Sequence, residues 1–227
     1  MNGAQTLLAF DNPWHIVGLI GVIVAIRVAV PRMEMNRSLR ATILEFVDSG
    51  LVAALLVFCL LRPFVIQAFF IPSGSMMPTL QTGDRILVNK FVYFFTDPEP
   101  GDIVVFNAPP AASPVDRDFI KRVVGAPGDE LCVKDGALYR NDARLVEDFI
   151  AEKPRYVWPN PDSCVAVPDG NYVVMGDNRN DSNDSHKWEA LDPTTGRVEP
   201  RPYVPRENML GKAMVVFWPP QRIRVLH

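Results

Sequence analysis

Ile71-Pro72-Ser73-Gly74-Ser75-Met76-Met77-Pro78-Thr79-Leu80 marks the point where this chain of 227 residues changes its pattern. Upstream lie two apolar runs of helical length. From Phe64 onward the apolar residues come instead in short β-rich runs: FVIQAFFI, RILVNKFVYFF, DIVVFN, FIKRVVG, ELCVK, YVVMG and AMVVFW. Gly-Asp pairs stand beside several of them (Gly83-Asp84, Gly101-Asp102, Gly128-Asp129, Gly176-Asp177) and read as turn punctuation. The 21 prolines and the lack of helical periodicity agree with short strands and many turns. These signals predict a mainly β, antiparallel domain over residues 64–227, with Pro-rich excursions inserted at 142–168 and 189–203.

Upstream of that domain, His15 to Val30 is a continuous apolar run, about 24 Å long as a helix against a hydrocarbon core of about 30 Å. Trp14 and a snorkelling Arg27 would sit at its ends, and residues 1–14 lack the basic residues of a cleavable signal. Ile43 to Leu61 is the longer run, roughly 28 Å, with Glu45 and Asp48 confined to its first turns. Between them Arg32, Arg37 and Arg40 face only Glu34, which makes residues 1–42 a first span plus a basic cytoplasmic loop. The segment 43–63 then crosses outward and delivers residues 64–227 to the far side. A helix lying in the interface and a long core helix are the alternatives for the two runs.

Composition closes several routes. A net charge of -3 gives no electrostatic case for a nucleic-acid partner. The three histidines, His15, His186 and His227, have no second ligand at metal-binding spacing, so neither a metal nor any other cofactor is expected. Cys132 and Cys164 either bridge or remain two buried thiols, and spacing does not choose between them.

Three stretches carry chemistry. In the first, Ser75 is a candidate nucleophile: Gly74 lets a substrate carbonyl approach, and Pro72 and Pro78 restrict the turn. A plain Ser/Gly linker is the bland alternative. In the second, Lys121 sits within Phe119-Ile120-Lys121-Arg122-Val123. Burial there would pull a lysine pKa of ~10.4 down by about three, at about 4 kcal/mol, leaving the neutral amine a general base needs. A solvent-facing lysine in an alternating strand is the alternative. The third stretch, Gly176 to His186, reads either as a solvated turn or as a polar network that orients an amine.

Together the three resemble the type I signal peptidase family, the membrane-bound Ser/Lys proteases of bacterial protein export. IPSGSMMPTL, GDRILVNKF, PGDIVVF, FIKRVVGAPGD, VPDGNYVVMGDNRNDSNDS and VPRENMLGKA occur in the family's order from about residue 71 to 213. The resemblance implies Ser75 as nucleophile, Lys121 as general base, and Ser73 with the Ser75 backbone N–H as oxyanion hole. It implies Ser182 as the residue orienting the lysine amine and Asp184 as a structural carboxylate, with Arg179 or His186 as its partner. Two departures stand out: Asn180-Asp181 inverts the family's Asp-Asn pair, and His186 replaces a final arginine.

The implied reaction is cofactor-free hydrolysis after an A-x-A site in exported preproteins, at the bacterial cytoplasmic membrane, with the domain on its extracytoplasmic side. Signal peptides and the lipid bilayer are the implied partners, with the export translocon nearby. The implied pocket comprises Phe69, Ile71, Pro72, Met76, Leu80, Ile86, Phe119 and Ile120, all of which also suit a core or a turn. A processing peptidase with restricted cargo, and a membrane-anchored β module that only binds, are the competing functions. A cytoplasmic self-cleaving peptidase with a Ser/Lys pair would lack the apolar runs.

Overall fold

The computed structural model describes residues 13–56, 66–160, 163–191 and 194–226. They form two compact units divided at Phe69.

The N-terminal unit is helical. Helix α1 (Pro13–Ala29) passes through a 3-10 turn (Val30–Arg32) to helix α2 (Arg37–Leu55). Helix α2 starts well before the apolar run because Asn36 caps it, its side chain accepting from the Ser38 N–H at 3.1 Å. Arg37 and Arg40 therefore belong to α2, which corrects the expectation of a basic loop reaching to residue 42. Arg27 does not stretch alone toward an interface: its Nε pairs with Asp48 Oδ1 on α2 at 2.6 Å. Among the described residues no helix is long and apolar enough to cross a membrane. The last part of the expected 43–61 span, Val57 to Leu61, and Cys59 with it, lies outside the described residues.

The second unit is built of strands: β1 (Ile66–Phe70, which begins just before the division), β2 (Arg85–Asn89), β3 (Ile103–Asn107), β4 (Asp118–Gly125), β5 (Glu130–Lys134), β6 (Ala137–Arg140) and β7 (Ala143–Arg144). They continue with β8 (Val165–Ala166), β9 (Asn171–Met175), β10 (Glu189–Leu191), β11 (Val198–Pro200), β12 (Val204–Pro205), β13 (Met209–Trp218) and β14 (Arg224–Val225). The main sheet runs β1-β2-β13-β3-β4-β9-β12, with β14 also on β13. The described pairs of β13 with β2, β3 and β14, of β4 with β3 and β9, and of β9 with β12 are all antiparallel. A smaller sheet has the order β7-β6-β5-β8, and β10 and β11 form a hairpin.

The run RILVNKFVYFF does not stay extended. Strand β2 ends at Asn89, whose side chain accepts from the N–H groups of Phe91 at 2.9 Å and Val92 at 3.1 Å and so starts a 3-10 turn at Val92–Phe94. Phe91, Phe94 and Phe95 are thereby left exposed beside one another.

Three apolar clusters hold this unit together. One gathers Phe69, Ile71, Met76, Leu80 and Ile86 with Val105 and Val216. A second lies around Phe106, Val123, Val174 and Trp188. The third joins the smaller sheet to β9 through Leu131, Leu138, Trp158 and Met175. Cys132 and Cys164 form a disulfide, with Cα atoms 4.6 Å apart, which decides the alternative that spacing left open. The excursion 142–168 is held at that point and also by reciprocal backbone bonds between Val133 and Trp158 at 2.7 and 3.0 Å.

Candidate active site

The turn after Ile71 is fixed by its apolar residues. Met76 and Leu80 are 1 % and 0 % exposed in the first cluster, and the backbone winds tightly between them, Leu80 N–H donating to Met76 C=O at 2.8 Å. Burying these two side chains leaves Ser73, Gly74 and Ser75 to project from the outer side of the turn. From the C-terminal end Arg222 grips Asp84, which follows the turn, with two bonds of 2.7 and 2.8 Å.

Lys121 lies in the middle of β4, with β3 and β9 on either side. Its side chain is buried, and Nζ is hydrogen-bonded to Ser75 Oγ at 2.7 Å while also donating to the Ile120 carbonyl at 2.9 Å. Burial pulls its pKa from 10.5 down to about 8, against the opposing fields of Asp184 and Asp177. A base of this strength and a hydroxyl at this distance form a Ser/Lys pair in which the amine can take the serine proton. Ser73 Oγ lies 3.5 Å from Ser75 Oγ.

The loop after β9 supplies the framework behind the pair. Gly176 has room for no side chain: a Cβ there would lie 2.3 Å from the Ser75 carbonyl oxygen and 2.4 Å from Ser182 Oγ. Asn178 then binds the Ser75 turn twice, N–H to the Ser75 carbonyl and Nδ2 to the Gly74 carbonyl, each at 3.1 Å. Asp177 receives both Nε and NH2 of Arg122, at 2.9 and 2.7 Å, and the Thr79 hydroxyl at 2.5 Å. This buried pair ties the residue next to Lys121 to the end of the Ser75 turn.

Asp184 and Arg179 both hold Gly176. Asp184 Oδ2 accepts the Gly176 N–H at 2.8 Å, and its Oδ1 accepts from His186 Nδ1 at 2.6 Å. Burial pushes the Asp184 carboxyl up, but the His186 and Gly176 bonds outweigh it and hold the group below its ordinary 3.8. Arg179 Nε donates to the Gly176 carbonyl at 3.1 Å, and its two terminal nitrogens bind Glu147 at 2.8 and 2.6 Å. Between the two candidate partners of Asp184 the structure selects His186; Arg179 is instead committed to Glu147.

Ser182 is also brought into this region, its buried Oγ beside the Asp184 carboxylate that it helps to hold low. A cleft of about 360 Å³ opens beside the pair, lined by Pro72, Ser73, Gly74, Ser75, Phe119, Ile120 and Lys121, with Arg117, Asp118, Asp181 and Asn183 on its polar side. A smaller apolar depression of about 30 Å³ adjoins Phe69, Ile71, Pro72, Phe119 and Ile120. Of the eight residues expected in the pocket, these five line one hollow or both. Met76, Leu80 and Ile86 line neither and sit within the first core cluster.

Glu147 escaped sequence reasoning, and Asp177 and Asn178 were read only as part of the Gly176–His186 stretch, with no role of their own. Asp177 and Asn178 carried a faint signal as members of the Gly-Asp-Asn turn. Glu147 carried none, since nothing in an irregular Pro-rich stretch announces which of its side chains folds inward.

A family model described as "Signal peptidase, peptidase S26" matches residues 43–218. The chain is 44% identical over 178 residues to a probable signal peptidase I-2 of Synechocystis, covering 78% of this chain and 74% of that protein. A signal peptidase I of Leptolyngbya laminosa is 41% identical over 167 residues, covering 72% of this chain and 74% of that one. The chloroplastic thylakoidal processing peptidase 1 of Arabidopsis thaliana is 38% identical over 177 residues, 75% of this chain and 47% of its own length.

Proposed function

We propose, from the premise that this chain belongs to the signal peptidase family, peptidase S26, as a type I member, that Ser75 and Lys121 remove the signal peptide from exported preproteins. The observation that carries the assignment is the 2.7 Å contact between a serine in a fixed turn and a buried lysine.

In this mechanism Ser75 Oγ attacks the carbonyl of the scissile bond while neutral Lys121 takes its proton. The tetrahedral oxyanion is received by the Ser75 backbone N–H and the Ser73 hydroxyl, both on the same turn. Collapse forms the Ser75 ester and breaks the C–N bond, and the Lys121 ammonium returns a proton to the departing amine. Water then attacks the ester with the same lysine as base, releasing the acid and free Ser75. Recognition of small residues before the cut is supported by the shallow apolar depression at Phe69, Ile71, Pro72, Phe119 and Ile120. Ser182 is assigned to orient the lysine amine.

Cleavage of a purified preprotein with an A-x-A site tests the reading. Wild type is expected to cut after the last alanine, Ser75→Ala not to cut, and Ser73→Ala to cut about 10² to 10³ slower, the loss expected of one oxyanion donor. A folded wild-type protein that leaves several such substrates intact would sink the assignment. The likeness to a thylakoidal processing peptidase favours a second reading in which the same chemistry serves a narrower cargo. Cutting of one preprotein class and sparing of the others would select it.

We also place the domain at a membrane surface on the extracytoplasmic side, anchored by the apolar runs His15–Val30 and Ile43–Leu61 and touching lipid through Phe91, Phe94 and Phe95, which are 44 %, 69 % and 73 % exposed. Replacing the three with serine is expected to weaken flotation of the β domain with liposomes. Equal flotation of both forms would remove the aromatics from this role.

A further inference from the structure

The Gly176 backbone is held from both sides. Its N–H is bound by Asp184 and its C=O by Arg179, at 2.8 and 3.1 Å. It packs directly against the Ser75 turn, since a Cβ added at Gly176 would lie 2.3 Å from the Ser75 carbonyl oxygen. What keeps the two holders in place comes from elsewhere in the chain. Glu147 occupies both terminal nitrogens of Arg179, with side chains 6 % and 0 % exposed. The Tyr156 ring lies flat on His186, centroids 4.1 Å apart and planes within 6°, and so fixes the imidazole that grips Asp184. Asn180 adds a third connection: its Oδ1 accepts from Arg155 N–H at 2.9 Å, and its Nδ2 donates to Glu152 and to the Lys153 carbonyl, each at 3.1 Å. Phe149 covers Arg122, with the guanidinium carbon 4.0 Å from the ring centroid.

Glu147, Phe149, Glu152, Lys153, Arg155 and Tyr156 all belong to the excursion 142–168. It is anchored to β5 by Cys132–Cys164 and by Val133–Trp158. Two of its contacts, on Arg179 and on His186, support the two groups that hold Gly176, and none of its residues lines the cleft.

We infer that this excursion is a clamp that sets the Ser75–Lys121 distance, with Glu147 and Tyr156 as positioning residues for the reaction. The inference rests on the Ser/Lys reading above. Each residue acts through a second one: Glu147 through Arg179, Tyr156 through His186 and Asp184, and both converge on Gly176. Neither lines the cleft, so loosening them should leave substrate binding intact and misalign the attack, for which small displacements are costly. The chain's departures from the family pattern fit this arrangement. His186 presents a flat ring for Tyr156, and Asn180 has both the donor and the acceptor that the excursion's backbone requires.

Preprotein cleavage by full-length wild type, Glu147→Gln, Tyr156→Leu and Tyr156→Phe tests this, with rates normalised to the amount of folded protein. Glu147→Gln is expected to lower kcat about tenfold or more and Tyr156→Leu about fivefold, each with KM within about twofold of wild type. Tyr156→Phe keeps the stacked ring and removes only a hydroxyl that is buried without a hydrogen-bond partner among the described residues, so it should restore kcat to the wild-type level. If Glu147→Gln proves too unstable to purify, the two Tyr156 variants decide the matter alone. Wild-type kcat in Tyr156→Leu, or a kcat loss equally deep in Tyr156→Phe, overturns the clamp while leaving the Ser/Lys reading in place. A wild type that cleaves nothing removes both.

Discussion

Lys121→Met is expected to lower preprotein turnover by at least about 10³-fold while leaving the fold intact. The loss follows from the role assigned to the amine: without it nothing within reach of Ser75 Oγ takes its proton, and a positioned base is worth about 10² to 10⁴ in rate. The fold should survive because methionine is an unbranched apolar chain suited to the same buried channel. Wild type should also show the lysine's pKa in its rate. With the group at about 8, about one tenth of it is neutral at pH 7, so kcat/KM should rise nearly tenfold from pH 6 to pH 7 and level off above about pH 9.

The same pKa sets the stability comparison. The folded value lies below 10.5, so between about 8 and 10.5 the unfolded chain binds more protons and stability rises with pH. Below that window the wild type carries the whole cost of a buried ammonium, about 3 kcal/mol for a displacement of this size. Lys121→Met should therefore be the more stable protein at pH 7, by up to that amount, and lose its advantage toward pH 10.5. Urea titrations at pH 7 and pH 10 measure the difference, and an advantage that grows with pH would show that Lys121 is not desolvated as described.

Asp177→Ala should be the more damaging change to the fold, costing about 3 to 5 kcal/mol, the range for breaking one partner out of a buried ion pair. Arg122 and Asp177 have side chains only 4 % and 0 % exposed, so little water reaches the guanidinium once its carboxylate is gone. The Thr79 hydroxyl loses its acceptor in the same step, which frees the far end of the Ser75 turn. Activity should fall with stability, unlike the separation expected for Lys121→Met. A urea midpoint within about 1 kcal/mol of wild type would mean that the pair contributes little beyond its own desolvation.

The β unit was legible because its evidence is local. Alternating and continuous apolar runs at Arg85–Asn89, Ile103–Asn107, Asp118–Gly125 and Met209–Trp218 all form strands of the main sheet. Elements stabilised by one side chain on one backbone group were not legible in the same way. Asn89 ends β2 and Asn36 starts α2 through such bonds, and neither changes the apolar pattern by which strands and helices are read. The two-residue strands β7, β8, β12 and β14 are too short to carry any pattern.

The candidate site divides the same way. Ser75 and Lys121 stand 46 positions apart, and their approach was expected because each lies in a stretch with its own chemical signature. The pairing of charges behind them was not. A sequence offers Arg179 and His186 equally to Asp184, and supplies no reason to pair Arg179 with Glu147, 32 positions upstream of it.

By itself, then, the sequence singled out Ser75 and Lys121 as candidates for acyl transfer and placed them on a β scaffold after two apolar runs. Those properties reside in side-chain type and short-range periodicity, which folding does not alter. Only the tertiary structure decided that Lys121 is buried against Ser75 with its pKa drawn down, that Cys132 finds Cys164, and that an irregular excursion folds back onto Arg179 and His186. Desolvation, bridge formation and charge pairing depend on distances between distant segments, and those distances come into being when the sheets pack.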